Sequence, residues 1–444
     1  MTRSYDTRGY GAVWRLHFIA GLLVLPILML MAATGGAYLF REEIDAAVYG
    51  EILEAPAAPA ITPSKWLQVA ETATGGEATR ITVPKAGRSA EVILRLPSGE
   101  QTRLHLDPGS GTVLGETPPN GSMDWVKDLH SLTLLGPQAN LLAELAAGWA
   151  IVLVATGAVL WWPSRSRQPP AGQRGVLRRV HGWTGGFAGL VILFLALTGM
   201  PWSALWGQTV REWTNAAGWG RPAAPAAAGA WGGGPKSAGH GDHGGPAMPW
   251  TLQTTTLDHG GQAHLLDRAQ VLDRVAATAS KEGLPTPFSI ALSKDPDLAW
   301  SASHMGRQAE DMRTLYIAPD GQVSADIAYG DFGPAAQVIE WGVATHQGRQ
   351  YGEVNRWLML AGCVAIWVLA LSGLAMWWLR RPRGRIGIPP RPTSPRTYLV
   401  LALVVIPLAL IFPLVGGSLM FAIALDLVLQ RLAPRPAVQP GAQP

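Results

Sequence analysis

Four histidines are set apart from the rest of the chain by their spacing. Of the ten histidines in 444 residues, His17 and His181 lie 164 positions apart, each as the third residue of an Arg-x-His triplet (Arg15-Leu-His17, Arg179-Val-His181). The same offset of 164 relates Gly21 to Gly185 and Thr34-Gly35 to Thr198-Gly199. A second offset, 216, carries Trp125, His130, Gly136, Thr156-Gly157 and Trp161-Trp162 onto Trp341, His346, Gly352, Ser372-Gly373 and Trp377-Trp378. Two offsets held over so many uncommon residues mark an internal repeat. The histidines therefore form two pairs, His17 with His181 and His130 with His346. Neutral imidazole is a good axial ligand for haem iron, and two facing copies of one fold would set matched histidines on opposite sides of a flat macrocycle. Each pair is expected to hold one b-type haem, two in all, with no catalytic residue beyond the ligands.

The competing role for these histidines is structural, as head-group neighbours (His17, His181) or anchors at the start of a span (His130, His346). Matched pairs of ionisable residues at membrane depth favour ligation. The single cysteine, Cys363, excludes a disulfide framework, a cysteine-rich zinc site and covalent haem attachment. Arg15, Arg178 and Arg179 are placed to neutralise propionates of an inner haem, or to act as topology signals; Lys127, Arg349 and Arg356 would serve an outer one. Gly35 and Gly199 each follow their span's histidine by eighteen residues, five turns and about 27 Å along the same helix face. A missing side chain there leaves room for the outer haem, or else lets two helices pack closely.

These residues need a scaffold in the bilayer. The chain is 48% hydrophobic and 15% charged, and its apolar residues fall in blocks long enough to cross roughly 30 Å of hydrocarbon. The blocks are 14–40, 139–162, 181–207, 355–379 and 397–425, four core spans and a fifth. The loop 163–180 holds Arg165, Arg167, Arg174, Arg178 and Arg179 without an acid, and 380–396 holds six arginines without one. The positive-inside rule places both loops, and the N-terminus within 1–40, in the cytoplasm. Segments 41–138 and 208–354 then lie outside, as does the tail 426–444. The first block is too long for the apolar stretch of a cleaved signal peptide. A net charge of +4, with basic residues gathered beside the spans, points to membrane topology and away from nucleic acid.

Both external segments read as small α+β modules. The first offers a helix at 64–72, strands at 91–96 and 102–106, the turn Asp107-Pro-Gly-Ser-Gly111 and a strand at 112–114. The second offers a helix at 265–281, a strand at 288–293 and the hairpin 314–323. Residues 216–250, rich in Ala, Gly and Pro, read as a flexible insert, with His240 and His243 making at most a weak metal site. His105, His259, His264 and His304 read as polar surface residues of the modules.

Taken together, Arg-x-His at 15–17 and 179–181, the His130 and His346 segments, the Trp-Trp span ends and the hairpins at 107–109 and 319–321 resemble the PepSY-associated transmembrane-helix family. That family includes inner-membrane ferric-siderophore reductases and iron-uptake factors, and the resemblance covers 14–379. It implies a helical bundle with two periplasmic PepSY modules in the bacterial inner membrane and histidine-bound haem b carrying electrons outward. The substrate would be a ferric siderophore or other ferric chelate. The fifth span and the insert depart from the core pattern. No dinucleotide-binding motif is present, so electrons must come from quinol or a cytoplasmic reductase. An electron-transfer cytochrome b serving another redox protein, and a haem-free PepSY regulator of a peptidase, remain alternatives.

Overall fold

The computed structural model describes residues 7–56, 59–165, 171–222, 267–293, 298–382, 387 and 395–421. Helix α1 (Thr7–Tyr38) leads to α2 (Arg41–Leu53) and α3 (Pro63–Thr74). Strands β1 (Glu77–Val83), β2 (Ala90–Arg95), β3 (Gln101–Leu106) and β4 (Val113–Thr117) follow, then α4 (Asp124–His130) and α5 (Asn140–Trp161). After α6 (Gln173–Gly199) and α7 (Trp206–Ala216) the plan recurs: α8 (Arg268–Lys281), β5 (Phe288–Ala291), β6 (Trp300–His304), β7 (Arg313–Ile317), β8 (Val323–Ala328), α9 (Pro334–His346) and α10 (Gly352–Arg380). Helix α11 (Pro395–Ile411) comes last.

Among the described residues, four helical stretches are long and apolar enough to cross a membrane: Gly11–Tyr38, Pro137–Trp161, Gln173–Trp202 and Gly352–Arg380. The fifth block differs from expectation. Helix α11 passes through Pro407 and ends at Ile411 after 17 residues, two positions before Pro413. A separate helical stretch covers 413–421, and residues 422–425 of the expected span lie outside the described residues.

The chain divides into two compact units, 1–28 with 144–193 and 368–444, and 29–143 with 194–367. In the first unit, pieces of α1, α5, α6 and α10 pack through glycines. Gly21 faces Leu153, Gly189 faces Val154 and Gly185 faces Leu369, while the Trp161 indole lies across Gly182 and Gly186. Small residues let helices approach closely where lipid supplies no hydrophobic drive.

The second unit contains one antiparallel eight-stranded sheet in the order β4-β3-β2-β1-β5-β6-β7-β8. The expected two modules are thus fused. β1 pairs with β5 (Arg80 with Ala291, Ile81 with Ile290, Thr82 with Ser289, Val83 with Phe288), and the Thr82 and Ser289 hydroxyls meet at 3.0 Å. Unpaired, each of these strands would be an apolar open edge, a feature proteins usually cover. Trp66, Leu67 and Ala70 of α3 and Val271, Leu272 and Val275 of α8 share one core with Ile81, Leu94, Leu104, Ile290 and Leu315. A second cluster, on the other side of β7, joins Tyr316 and Ile327 to Phe332, Ala336 and Ala344.

Two further expectations are corrected here. His105 is fully buried. It lies between Leu104 and Leu106 of the core, so the two-residue period of a strand turns it to the opposite face, where α2 packs on β3 and β4. The expected insert also begins later than 216. Gly220 O accepts from Gly333 N at 2.7 Å and Trp219 O from Ala336 N at 3.1 Å, supplying acceptors that the first turn of α9 lacks within its own helix. Residues 223–250, with His240 and His243, lie outside the described residues, as do His259 and His264.

Candidate functional site

In the first unit, His17 of α1 faces His181 of α6, with ring centres 6.3 Å apart and planes at 90°. Both rings are held from one side. His17 Nδ1 lies 2.9 Å from Thr156 Oγ1, and His181 Nδ1 lies 3.0 Å from Ser372 Oγ and 3.1 Å from the carbonyl oxygen of Leu369. Each ring rests on the glycine that follows its hydroxyl partner. A β-carbon on Gly157 would stand 3.2 Å from His17 Cε1, and one on Gly373 3.5 Å from His181 Cε1.

The second unit repeats this arrangement. His130 is the last residue of α4 and His346 the last of α9, so both end short helices ahead of the spans. Their ring centres are 6.5 Å apart with planes at 76°. His130 Nδ1 lies 3.0 Å from Thr34 Oγ1 and His346 Nδ1 2.9 Å from Thr198 Oγ1, with Gly35 and Gly199 beneath the rings. Trp202 adds an edge contact to His346 at 6.1 Å. Burial holds both histidines below the ordinary imidazole value, His346 at about 3, so both are neutral. The chain turns back at glycines with positive φ, Gly136 and Gly352. Asn140 Nδ2 donates to Ser131 O at 3.1 Å and Asn355 Nδ2 to Thr345 O at 2.9 Å, tying each span to the backbone beside its histidine.

Each histidine is therefore seated by a Ser/Thr-Gly dipeptide from its own copy of the repeat, and its partner histidine comes from the other copy. Among the described residues none of the four Nε2 atoms has a hydrogen-bond partner. Nor does a third His, Cys, Asp or Glu join either pair to make a metal cluster. The family model for the PepSY-associated TM region matches residues 14–380. The chain belongs to the PepSY-associated TM family. No curated protein matches it.

This PepSY-associated protein brings its four spaced histidines together in the expected pairs, while the role of its glycines differs from expectation. Gly35 and Gly199 make room for the imidazoles of His130 and His346 themselves. The hydroxyls of Thr34, Thr156, Thr198 and Ser372 are functional candidates that spacing revealed only as matches within the repeat; a polar residue directly before each glycine was the available signal.

The expected basic residues separate into groups. Lys127 Nζ lies 3.4 Å from Asp124 and 3.9 Å from Asp128. Arg356 pairs with Glu43 and, at 2.6 Å, with Glu353. Both are already matched by carboxylates. Arg349, three residues after His346, is different in making no salt bridge to a carboxylate among the described residues: its guanidinium donates to Gly306 O over a long 3.4 Å, its Nε, like that of Arg356, is buried without a partner, and burial pushes it down to about 10. Arg15 is half-buried on α1, whereas Arg178 and Arg179 are exposed at the start of α6.

Proposed function

We propose that this membrane protein is a di-haem b transmembrane reductase. It takes electrons from quinol or a cytoplasmic reductase and delivers them across the bacterial inner membrane to a periplasmic ferric chelate such as a ferric siderophore, in iron uptake. The observation that carries this reading is the pair of facing imidazoles, each anchored through Nδ1 and free at Nε2. Two imidazoles on one iron, with metal–nitrogen bonds of about 2.0 Å and ring centres a further ~1.1 Å beyond each nitrogen, would stand about 6.2 Å apart. The separations of 6.3 and 6.5 Å agree with that figure. The donor set also favours haem over a bare cation, because two histidines leave a tetrahedral zinc two ligands short, whereas a porphyrin supplies four nitrogens of its own.

When bound, haem b supplies a one-electron Fe(III)/Fe(II) couple. The chain's own residues hold the imidazoles, keep them neutral and offer a buried cation. Arg349 is the residue expected to meet a propionate beside His130 and His346, through a charge-assisted bond. The arginine-rich segments 163–180 and 380–396 support a cytoplasmic location for that end of the spans. The sheet-containing segments are then periplasmic, where a ferric chelate would be met.

The test is a reduced-minus-oxidised spectrum with haem quantitation on purified protein, then reoxidation by ferric chelates. Two haems per chain are expected, one lost in His17→Ala or His181→Ala and the other in His130→Ala or His346→Ala. Loss of the His130/His346 haem should also stop reduction of a membrane-impermeant chelate. Full haem content in all four variants, or no Soret band in the wild type, overturns the reading.

A further inference from the structure

The four Ser/Thr hydroxyls that touch the histidines are each committed a second time. Thr34 Oγ1 lies 2.7 Å from Leu30 O, Thr156 Oγ1 2.7 Å from Val152 O, Thr198 Oγ1 2.7 Å from Phe194 O and Ser372 Oγ 2.6 Å from Val368 O. Each of these is the carbonyl one helical turn back. A carbonyl oxygen can only accept, and a hydroxyl has one proton to give. That proton is used on the helix backbone, so toward the histidine the hydroxyl oxygen acts as an acceptor. The hydrogen on the Nδ1 contact must then belong to the imidazole.

We infer that Thr34, Thr156, Thr198 and Ser372 are tautomer-setting residues, fixing each neutral histidine as Nδ1–H with its lone pair on Nε2. The inference rests on the haem reading for its purpose, since a ligand needs that lone pair and its orientation is governed by the bond the other nitrogen makes. His181 argues for it independently: its Nδ1 also meets the Leu369 carbonyl oxygen at 3.1 Å, a partner that accepts only. The acceptors are neutral hydroxyls, so the imidazoles are held without being pulled toward imidazolate, and an electron added at the metal is less opposed than it would be with a carboxylate behind each ring.

The experiment uses the full chain with ¹⁵N-labelled histidine in lipid bilayers, prepared without haem, and reads the ring nitrogens by solid-state NMR; His17→Gln assigns the His17 signals. The wild type is expected to show His17 as the Nδ1–H form. Thr156→Val keeps the shape and removes the acceptor, and should yield mixed tautomers. In haem titrations it should weaken binding about 10–100-fold, the usual effect of losing such a partner, and raise the midpoint potential of the haem that remains. Thr156→Ser should restore all three readouts, which a purely steric role would not produce. An Nε2–H form in the wild type, or a Thr156→Val protein with unchanged tautomer and affinity, overturns the inference. A wild-type protein that takes up no haem refutes the cytochrome reading alone, because the apo-protein spectrum still decides the tautomer.

Discussion

Gly35 lies beneath the imidazole of His130 so closely that a β-carbon added there would stand 3.0 Å from Cε1. The corresponding distances are 3.2 Å for Gly157 under His17, and 3.5 Å for both Gly199 under His346 and Gly373 under His181. The seats in the first copy of the repeat are the tighter ones. Gly35→Ala should therefore displace its histidine and lower occupancy of the His130/His346 haem about tenfold or more, by analogy with other disturbed ligand supports. Gly157→Ala should act in the same direction on the His17/His181 haem, and Gly199→Ala and Gly373→Ala should stay near wild type. Haem quantitation on the four variants checks the ranking, and a Gly199→Ala protein more damaged than Gly35→Ala would contradict it.

Arg349 and its neighbours give a second prediction. Arg349→Gln removes a buried cation that makes no salt bridge to a carboxylate among the described residues, so the His130/His346 haem should bind more weakly and the other should be unaffected. Lys127→Gln and Arg356→Gln break ion pairs with carboxylates, and pairs of this kind contribute about 0–1 kcal/mol. Haem titration of the three variants separates them; equal losses would return Lys127 and Arg356 to the haem site.

The buried His105 should make the sheet sensitive to acid. Its Nδ1 and Nε2 lie 3.0 Å from the hydroxyls of Ser89 and Thr117, and burial holds its affinity for a proton below the ordinary value. Below pH ~6.5 the unfolded chain takes up a proton that the folded one resists. Stability should then fall as pH drops from about 6.5 toward the folded value, by at most about 1.4 kcal/mol per pH unit, with no contribution above that window. Denaturant unfolding at pH 7.5 and 5.5 measures the slope, which His105→Gln should reduce. An unchanged slope would mean that His105 accepts a proton without penalty.

Ile81 and Ile290 face each other across the β1–β5 seam, each with no exposed surface. Truncating either to Ala should cost about 2–5 kcal/mol. Since β1 and β5 come from different copies of the repeat, loss of the seam should also loosen the facing of His130 and His346. Thermal unfolding followed alongside the haem spectrum would detect both effects; a destabilised sheet with an intact His130/His346 spectrum would show that the spans alone keep that pair together.

Much of this was legible because a repeat leaves a record in spacing. The offsets of 164 and 216 paired the histidines correctly, and Asp107, whose Oδ1 accepts from Gly109 N and Ser110 N at 2.8 Å, made its turn where the Asp-Pro-Gly motif predicts one. What spacing did not carry was contact between distant segments. The pairing of Ile81 with Ile290 joins strands more than two hundred residues apart, and nothing local marks it. His105 read as surface because one face of a half-buried strand is usually wet; α2, arriving from earlier in the chain, packs on that part of the sheet.

The strand order β4-β3-β2-β1-β5-β6-β7-β8 reads the same from either end once β5–β8 are matched to β1–β4. One copy of the repeat contains a complete set of seats, Thr34-Gly35 for His130 and Thr156-Gly157 for His17, yet neither histidine has a facing partner within it. Such a copy meeting an identical one along β1 would have every part needed for both pairs, as a two-fold homodimer does. Joining the copies in one chain lets each side of a pair change alone. Ser372 opposite Thr156, and Trp202 beside His346 where the first copy has Tyr38, are differences that no homodimer could have held.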